Sequence, residues 1–115
     1  MDNPTLLAVT PIDGRYYGKT ASLSEYFSEY ALIRYRVRIE VEYFIALCRI
    51  PLPQLEGVLS PEKEEQLQSI WKDLTPEKAQ KVKDIEKVTN HDVKAVEYYL
   101  RDTFIEIGLG NCLTF

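Results

Sequence analysis

The sequence is poor in several residue types on which common active sites depend. It has one histidine, His91, so no His-based metal cluster can be assembled from it. Its two cysteines, Cys48 and Cys112, stand far apart with no second Cys or His near either, and Cys-x-x-Cys is absent. Reduced thiols of a cytosolic protein are expected, rather than a disulfide framework or a zinc site. The five glycines form no Gly-x-x-x-x-Gly-Lys phosphate loop, no Gly-x-Gly-x-x-Gly fingerprint and no Gly-x-Ser-x-Gly elbow. Basic charge is not in excess: the net charge is −4, with both signs interspersed. That excludes a broad basic face for nucleic acid, and any anionic ligand must be held by a local cluster. No apolar run approaches the ~18 residues of a membrane span, and the start carries no basic-then-apolar leader. Neither a membrane span nor a signal peptide is expected.

What is present reads as helix. A chain of 115 residues suits one domain with a respectable core. Residues 1 to about 22 lack a clear period and contain Pro4, Pro11, Gly14 and Gly18. They read as an irregular arm before a helical domain from residue 23 onward. Within the arm, Thr10-Pro-Ile-Asp-Gly-Arg-Tyr16 predicts a tight turn, because Asp-Gly favours turn geometry and Gly tolerates positive φ. As structure, this is an arm lying across the domain. As chemistry, the turn presents Arg15 beside Tyr16, and a guanidinium next to a phenol suits a phosphate or carboxylate.

From Ser24 to Cys48 the period is strongly helical. Tyr26, Tyr30, Ile33, Val37, Val41, Phe44 and Cys48 form one apolar stripe, while Arg34, Arg38 and Glu42 form a charged row expected to be packed and solvated. Ile50-Pro-Leu-Pro53 ends that helix. Ser60-Pro-Glu and Thr75-Pro-Glu each predict a helix start: a hydroxyl cap, Pro at the first helical position, then an acid. Leu67, Ile70, Trp71 and Leu74 follow the first; Ala79, Val82 and Ile85 follow the second. No segment alternates with period two for long, so the fold class is all-α, with about four to five helices after the arm.

The last helical stretch carries the histidine. Thr89 reads as an N-cap with Asp92 as the acidic half of a capping box, and Val93, Val96, Leu100, Phe104 and Ile107 continue at helical spacing for about four turns. Asn90 and His91 are then expected in the first turn, beside backbone N–H groups that favour an anion. The same pattern also serves simply to start a helix. Near a helix start His91 is pulled two ways: the positive end disfavours imidazolium, and a bound anion favours it.

Three stretches together carry a resemblance. They are Thr10-Pro-Ile-Asp-Gly-Arg-Tyr16, Phe27-Ser-Glu-Tyr-Ala-Leu-Ile-Arg-Tyr-Arg-Val37, and Ile85-Glu-Lys-Val-Thr-Asn-His-Asp-Val-Lys-Ala-Val-Glu-Tyr98. In order and spacing they resemble the start of the adenylosuccinate lyase family, a branch of the aspartase/fumarase superfamily. The likeness runs from about Leu6 to about Leu109. It implies an all-helical cytoplasmic homotetramer that cleaves a C–N bond by β-elimination without cofactor or metal. Fumarate would leave adenylosuccinate, or the succinyl-aminoimidazole-carboxamide ribotide of purine synthesis. By this resemblance Arg15, Tyr16, Asn90, His91 and Asp92 contact the nucleotide substrate, with His91 also a candidate accessory to catalysis. The family's general acid histidine, its base serine, its central bundle and its C-terminal domain lie further along than residue 115. The chain is accordingly expected to be an N-terminal domain fragment, or a prematurely ended reading frame. Its last residues, Gly110-Asn-Cys-Leu-Thr-Phe115, depart from the Phe-Ile-His-Phe run usual there. The competing expectation is a non-catalytic helical module whose apolar stripes pack against partner helices.

Overall fold

The computed structural model describes residues 4–50 and 52–110. Among these there is no strand; all regular structure is helical. The chain divides into two compact units, Met1–Leu32 and Ile33–Phe115. The first contains three short helices, α1 (Pro4–Leu7), α2 (Tyr17–Thr20) and α3 (Ser24–Phe27). The long helix α4 (Glu29–Cys48) begins there and continues into the second unit, which adds α5 (Pro61–Lys72), α6 (Pro76–Thr89) and α7 (Asp92–Glu106). Among the described residues no helix is long and apolar enough to cross a membrane. Cys48 closes α4 half-buried, and Cys112 lies outside the described residues, as does Pro51.

The single helix expected from Ser24 to Cys48 is divided at Ser28, whose backbone is extended with φ −77° and ψ 167°. Its hydroxyl donates to the Ser24 carbonyl at 2.5 Å and accepts the Ala31 N–H at 3.0 Å. A serine that satisfies an orphan N–H of the following turn stabilises a new start over continuation. Tyr26, assigned to the apolar stripe, is consequently exposed. The starts of α5 and α6 are as expected. Ser60 Oγ accepts the Lys63 N–H at 3.1 Å, Thr75 Oγ1 accepts the Lys78 N–H at 3.2 Å, and a proline opens each helix.

The core of the second unit follows the apolar periods. Ile33, Val37, Val41 and Ile45 of α4 are buried, as are Leu67 and Ile70 of α5, Ala79 and Val82 of α6, and Val96, Leu100 and Phe104 of α7. Phe44 and Phe104 meet edge to face, their centroids 5.0 Å apart, which joins α4 to α7. The charged row of α4 has a definite task, gripping the indole of α5. The guanidinium carbons of Arg34 and Arg38 lie 5.6 and 4.6 Å from the Trp71 ring centroid. Arg34 Nε donates to the Trp71 carbonyl at 3.1 Å, and Trp71 Nε1 donates to Glu42 at 3.0 Å.

Helix α7 ends in a Schellman motif. Gly108 takes φ +86°, the Leu109 N–H donates to the Phe104 carbonyl at 2.8 Å, and the Gly108 N–H donates to the Ile105 carbonyl at 3.1 Å. Leu109 and Phe104, both buried, supply the apolar contact that accompanies this ending. Lys63 reaches across from α5 to donate to the Ile107 carbonyl. Leu67 is fully buried, so Leu67→Ala is expected to cost about 3 kcal/mol. Gly108→Ala, which forces a side chain into left-handed backbone, is expected to cost about 1 kcal/mol. Urea denaturation followed by circular dichroism checks both; a Leu67→Ala midpoint equal to wild type would contradict this core.

Candidate functional site

Two residues join α6 to α7, and their backbone sets the geometry. Asn90 ends α6 in the left-handed region, at φ 55° and ψ 33°, and its N–H donates to the Glu86 carbonyl at 2.7 Å. Asparagine tolerates that region better than other residues with a side chain. His91 is then extended, at φ −149° and ψ 115°, and acts as the N-cap of α7. The residue expected to cap this helix, Thr89, is instead the last residue of α6. Its hydroxyl accepts the His91 N–H at 3.3 Å and donates to the His91 carbonyl at 3.1 Å, bracing the cap from behind. Asn90 accordingly precedes the first turn of α7 rather than lying in it. The physical reason is that a left-handed residue cannot continue a helix, so the start moves on to His91.

His91 caps with its ring. Nδ1 accepts the Lys94 N–H at 3.2 Å, which leaves the proton of the neutral imidazole on Nε2. A doubly protonated ring has no acceptor, so charging His91 removes this cap. Asp92 is held on both oxygens: Oδ1 accepts the Val93 N–H at 2.8 Å and Oδ2 accepts from Arg36 Nη1 at 2.9 Å. The Arg36 guanidinium and then the Val93 amide hold the Asp92 carboxyl below its ordinary value of 3.8. A lowered folded-state value means that the pair's contribution is present above about pH 4 and is lost as pH falls through the lowered value. Asn90, His91 and Asp92 are all exposed, and their side chains face solvent at the amino end of a helix of 15 residues.

Arg15 and Tyr16 lie in the first unit. The expected turn before them is present, and it is held by Thr10 and Asp13. Asp13 Oδ1 accepts from both the N–H and the hydroxyl of Thr10 at 2.9 Å, and the Gly14 N–H donates to the Thr10 carbonyl at 3.1 Å. These bonds from Thr10 hold the Asp13 carboxyl below its ordinary value. Gly14 is needed for closeness rather than for positive φ, since an added Cβ would stand 2.6 Å from the Thr5 carbonyl oxygen. The turn does bring the two side chains together. Arg15 Nη2 donates to Tyr16 Oη at 2.7 Å, and its guanidinium carbon lies 4.6 Å from the Tyr16 ring centroid.

Arg36 was not singled out from sequence, because a pair separated by 56 positions leaves no local signal. An open groove of about 480 Å³ between α5, α6 and α7 contains none of the expected residues. It mixes Lys78 and Lys81 with Asp84, Asp102 and Glu106, and partial burial pushes its Tyr99 phenol up.

No family model matches the chain. Curated proteins do. It is 51% identical over 98 residues to the adenylosuccinate lyase of Dictyostelium discoideum, which covers 84% of this chain and 21% of that protein. It is 44% identical over 112 residues to the Legionella pneumophila (strain Corby) adenylosuccinate lyase, covering 96% of this chain and 24% of that protein. The chain matches the N-terminal part of the adenylosuccinate lyase family. The adenylosuccinate lyase of Escherichia coli (strain K12) agrees, at 38% identity over 107 residues, 93% of this chain and 24% of that protein. The chain therefore spans about a quarter or less of the length of these lyases. The Legionella match leaves too few residues unmatched for either the Arg15 turn or the α6–α7 link to fall outside it.

The cap separates the two roles of His91. His91→Ala is expected to destabilise the chain by about 1 kcal/mol, whereas His91→Asn, which restores a good cap, is expected to recover most of that loss. Thermal or urea unfolding measures both; equal losses in the two variants would contradict capping by Nδ1.

Proposed function

We propose that this chain supplies substrate-binding residues to an adenylosuccinate lyase. That enzyme eliminates fumarate from adenylosuccinate, and from the succinyl-aminoimidazole-carboxamide ribotide, in purine biosynthesis. The supporting observation is the exposed Asn90, His91 and Asp92 set at the amino end of α7, within a stretch matched to these lyases. The substrate carries a phosphate and two carboxylates. A helix start, a guanidinium and a phenol have the chemistry to hold such groups, and Arg15 beside Tyr16 provides the latter two. In this reading the full-length protein is a cytoplasmic homotetramer that draws on no cofactor or metal.

His91 would act mainly by binding and polarisation. Its Nδ1 is engaged by Lys94, so Nε2–H is the edge offered to a ligand oxygen. A ligand that drew a second proton onto the ring would also release the Lys94 N–H, exchanging a cap for a charged contact.

A second reading, a helical packing module, has its own observation. Ile39 and Tyr43 on the outer side of α4 are 67% and 61% exposed, and apolar groups so placed suit burial against further helices. The two readings are separated by titrating adenylosuccinate into the chain while following the ring signals of His91 by NMR. Saturable shifts at His91 are expected, and a packing module alone gives none. A general acid or base contributes about 10²–10⁴-fold in rate. The 115 residues span a quarter or less of these lyases, and without the acid histidine and base serine of the remainder they are expected to release no measurable fumarate.

A further inference from the structure

Asp92 is a peculiar residue to find where an anion is to bind. A bare carboxylate in the first turn of α7 would occupy the favourable field of the helix start and repel a second negative group. The structure resolves this by pairing. Arg36, on the middle of α4, donates from Nη1 to Asp92 Oδ2 at 2.9 Å, while Oδ1 is turned back onto the Val93 N–H at 2.8 Å. Both carboxylate oxygens are thus engaged within the fold. Stability does not account for the pair: its two side chains are 28% and 49% exposed, and exposed pairs of this kind contribute little.

We infer that Arg36 is a positioning residue for the ligand site. It clamps and neutralises Asp92 so that the amino end of α7, with Asn90 and the Nε2 edge of His91, is left receptive to an anionic group. The inference rests on the reading of Asn90 and His91 as ligand contacts, with Asp92 held beside them by Arg36. Arg36 itself touches Asp92 and is assigned no direct contact with substrate. The other charged side chain of this first turn, Lys94, is drawn away toward Glu97 at 3.0 Å, which leaves Arg36 as the residue that offsets Asp92.

The test compares the 115-residue chain with Arg36→Ala, Arg36→Lys and, as a control, Arg49→Ala, which breaks the separate Arg49 pair with Glu64. Two quantities are read: the midpoint of the Asp92 carboxyl titration by carbon NMR, and the Kd for adenylosuccinate. Arg36→Ala is expected to raise the Asp92 midpoint toward that of an ordinary carboxylate. It should also weaken adenylosuccinate roughly tenfold, with the thermal midpoint nearly unchanged. Arg36→Lys should recover part of both effects, and Arg49→Ala should move neither. An Asp92 midpoint indifferent to Arg36→Ala overturns the clamp, and a shifted midpoint with unchanged Kd overturns its role in binding. Failure of the wild-type chain to bind adenylosuccinate removes the underlying reading of Asn90 and His91. It is told apart from failure of the clamp because the Asp92 titration still responds to Arg36.

Discussion

The hydrogen bond from the Lys94 N–H to His91 Nδ1, together with the left-handed turn at Asn90, is the constraint on which the second unit depends. A helix cannot pass through a left-handed residue, so α6 must stop at Thr89. A helix start has orphan N–H groups, and the imidazole satisfies one of them so that α7 can begin at once. With only two residues between them, α6 and α7 fold back on one another as a hairpin. Ala79 and Val82 are then buried on one helix, and Ala95, Val96, Leu100 and Phe104 on the other. The same two residues, placed at the tip of the hairpin, keep their side chains exposed. Local backbone chemistry thereby produces both the packing and the surface available to a ligand.

Around that tip the long-range contacts come from α4. Its buried stripe joins the core, its Phe44 meets Phe104, and its arginines hold both Trp71 of α5 and Asp92 of α7. These polar contacts are partly exposed, and their worth as stability is small. Their value lies in direction, since an arginine fork fixes its partner's orientation where a solvated lysine would not. The α4 side chains therefore connect the apolar core to the geometry of the residues that face solvent.

Most of the helical content was legible because periodicity and caps agreed. At Ser60-Pro61 and Thr75-Pro76 the hydroxyl, the proline and the following acid all point to one start, and the structure has a helix at each. Errors arose where two local signals competed. At Ser28 a strong apolar period hid a serine able to cap a new helix, and the backbone broke there. At the α6–α7 link, threonine is a stronger prior for an N-cap than histidine, yet the left-handed preference of Asn90 moved the start to His91. The Schellman ending at Gly108 carries a local signal of its own, a glycine followed by leucine after the last periodic residue. Arg36 could not have been found this way, since nothing local links it to Asp92. Kinship with the lyases, by contrast, was legible from the residues around His91 and is borne out by the curated relatives.

The ring of His91 is the place to test this account. Ring-nitrogen NMR of the isotopically labelled chain at neutral pH distinguishes a protonated nitrogen from an unprotonated one, and a scalar coupling across a hydrogen bond identifies the donor. The account requires Nδ1 unprotonated, Nε2 protonated, and a coupling from Nδ1 to the Lys94 amide. A proton on Nδ1, with no coupling to Lys94, would contradict it.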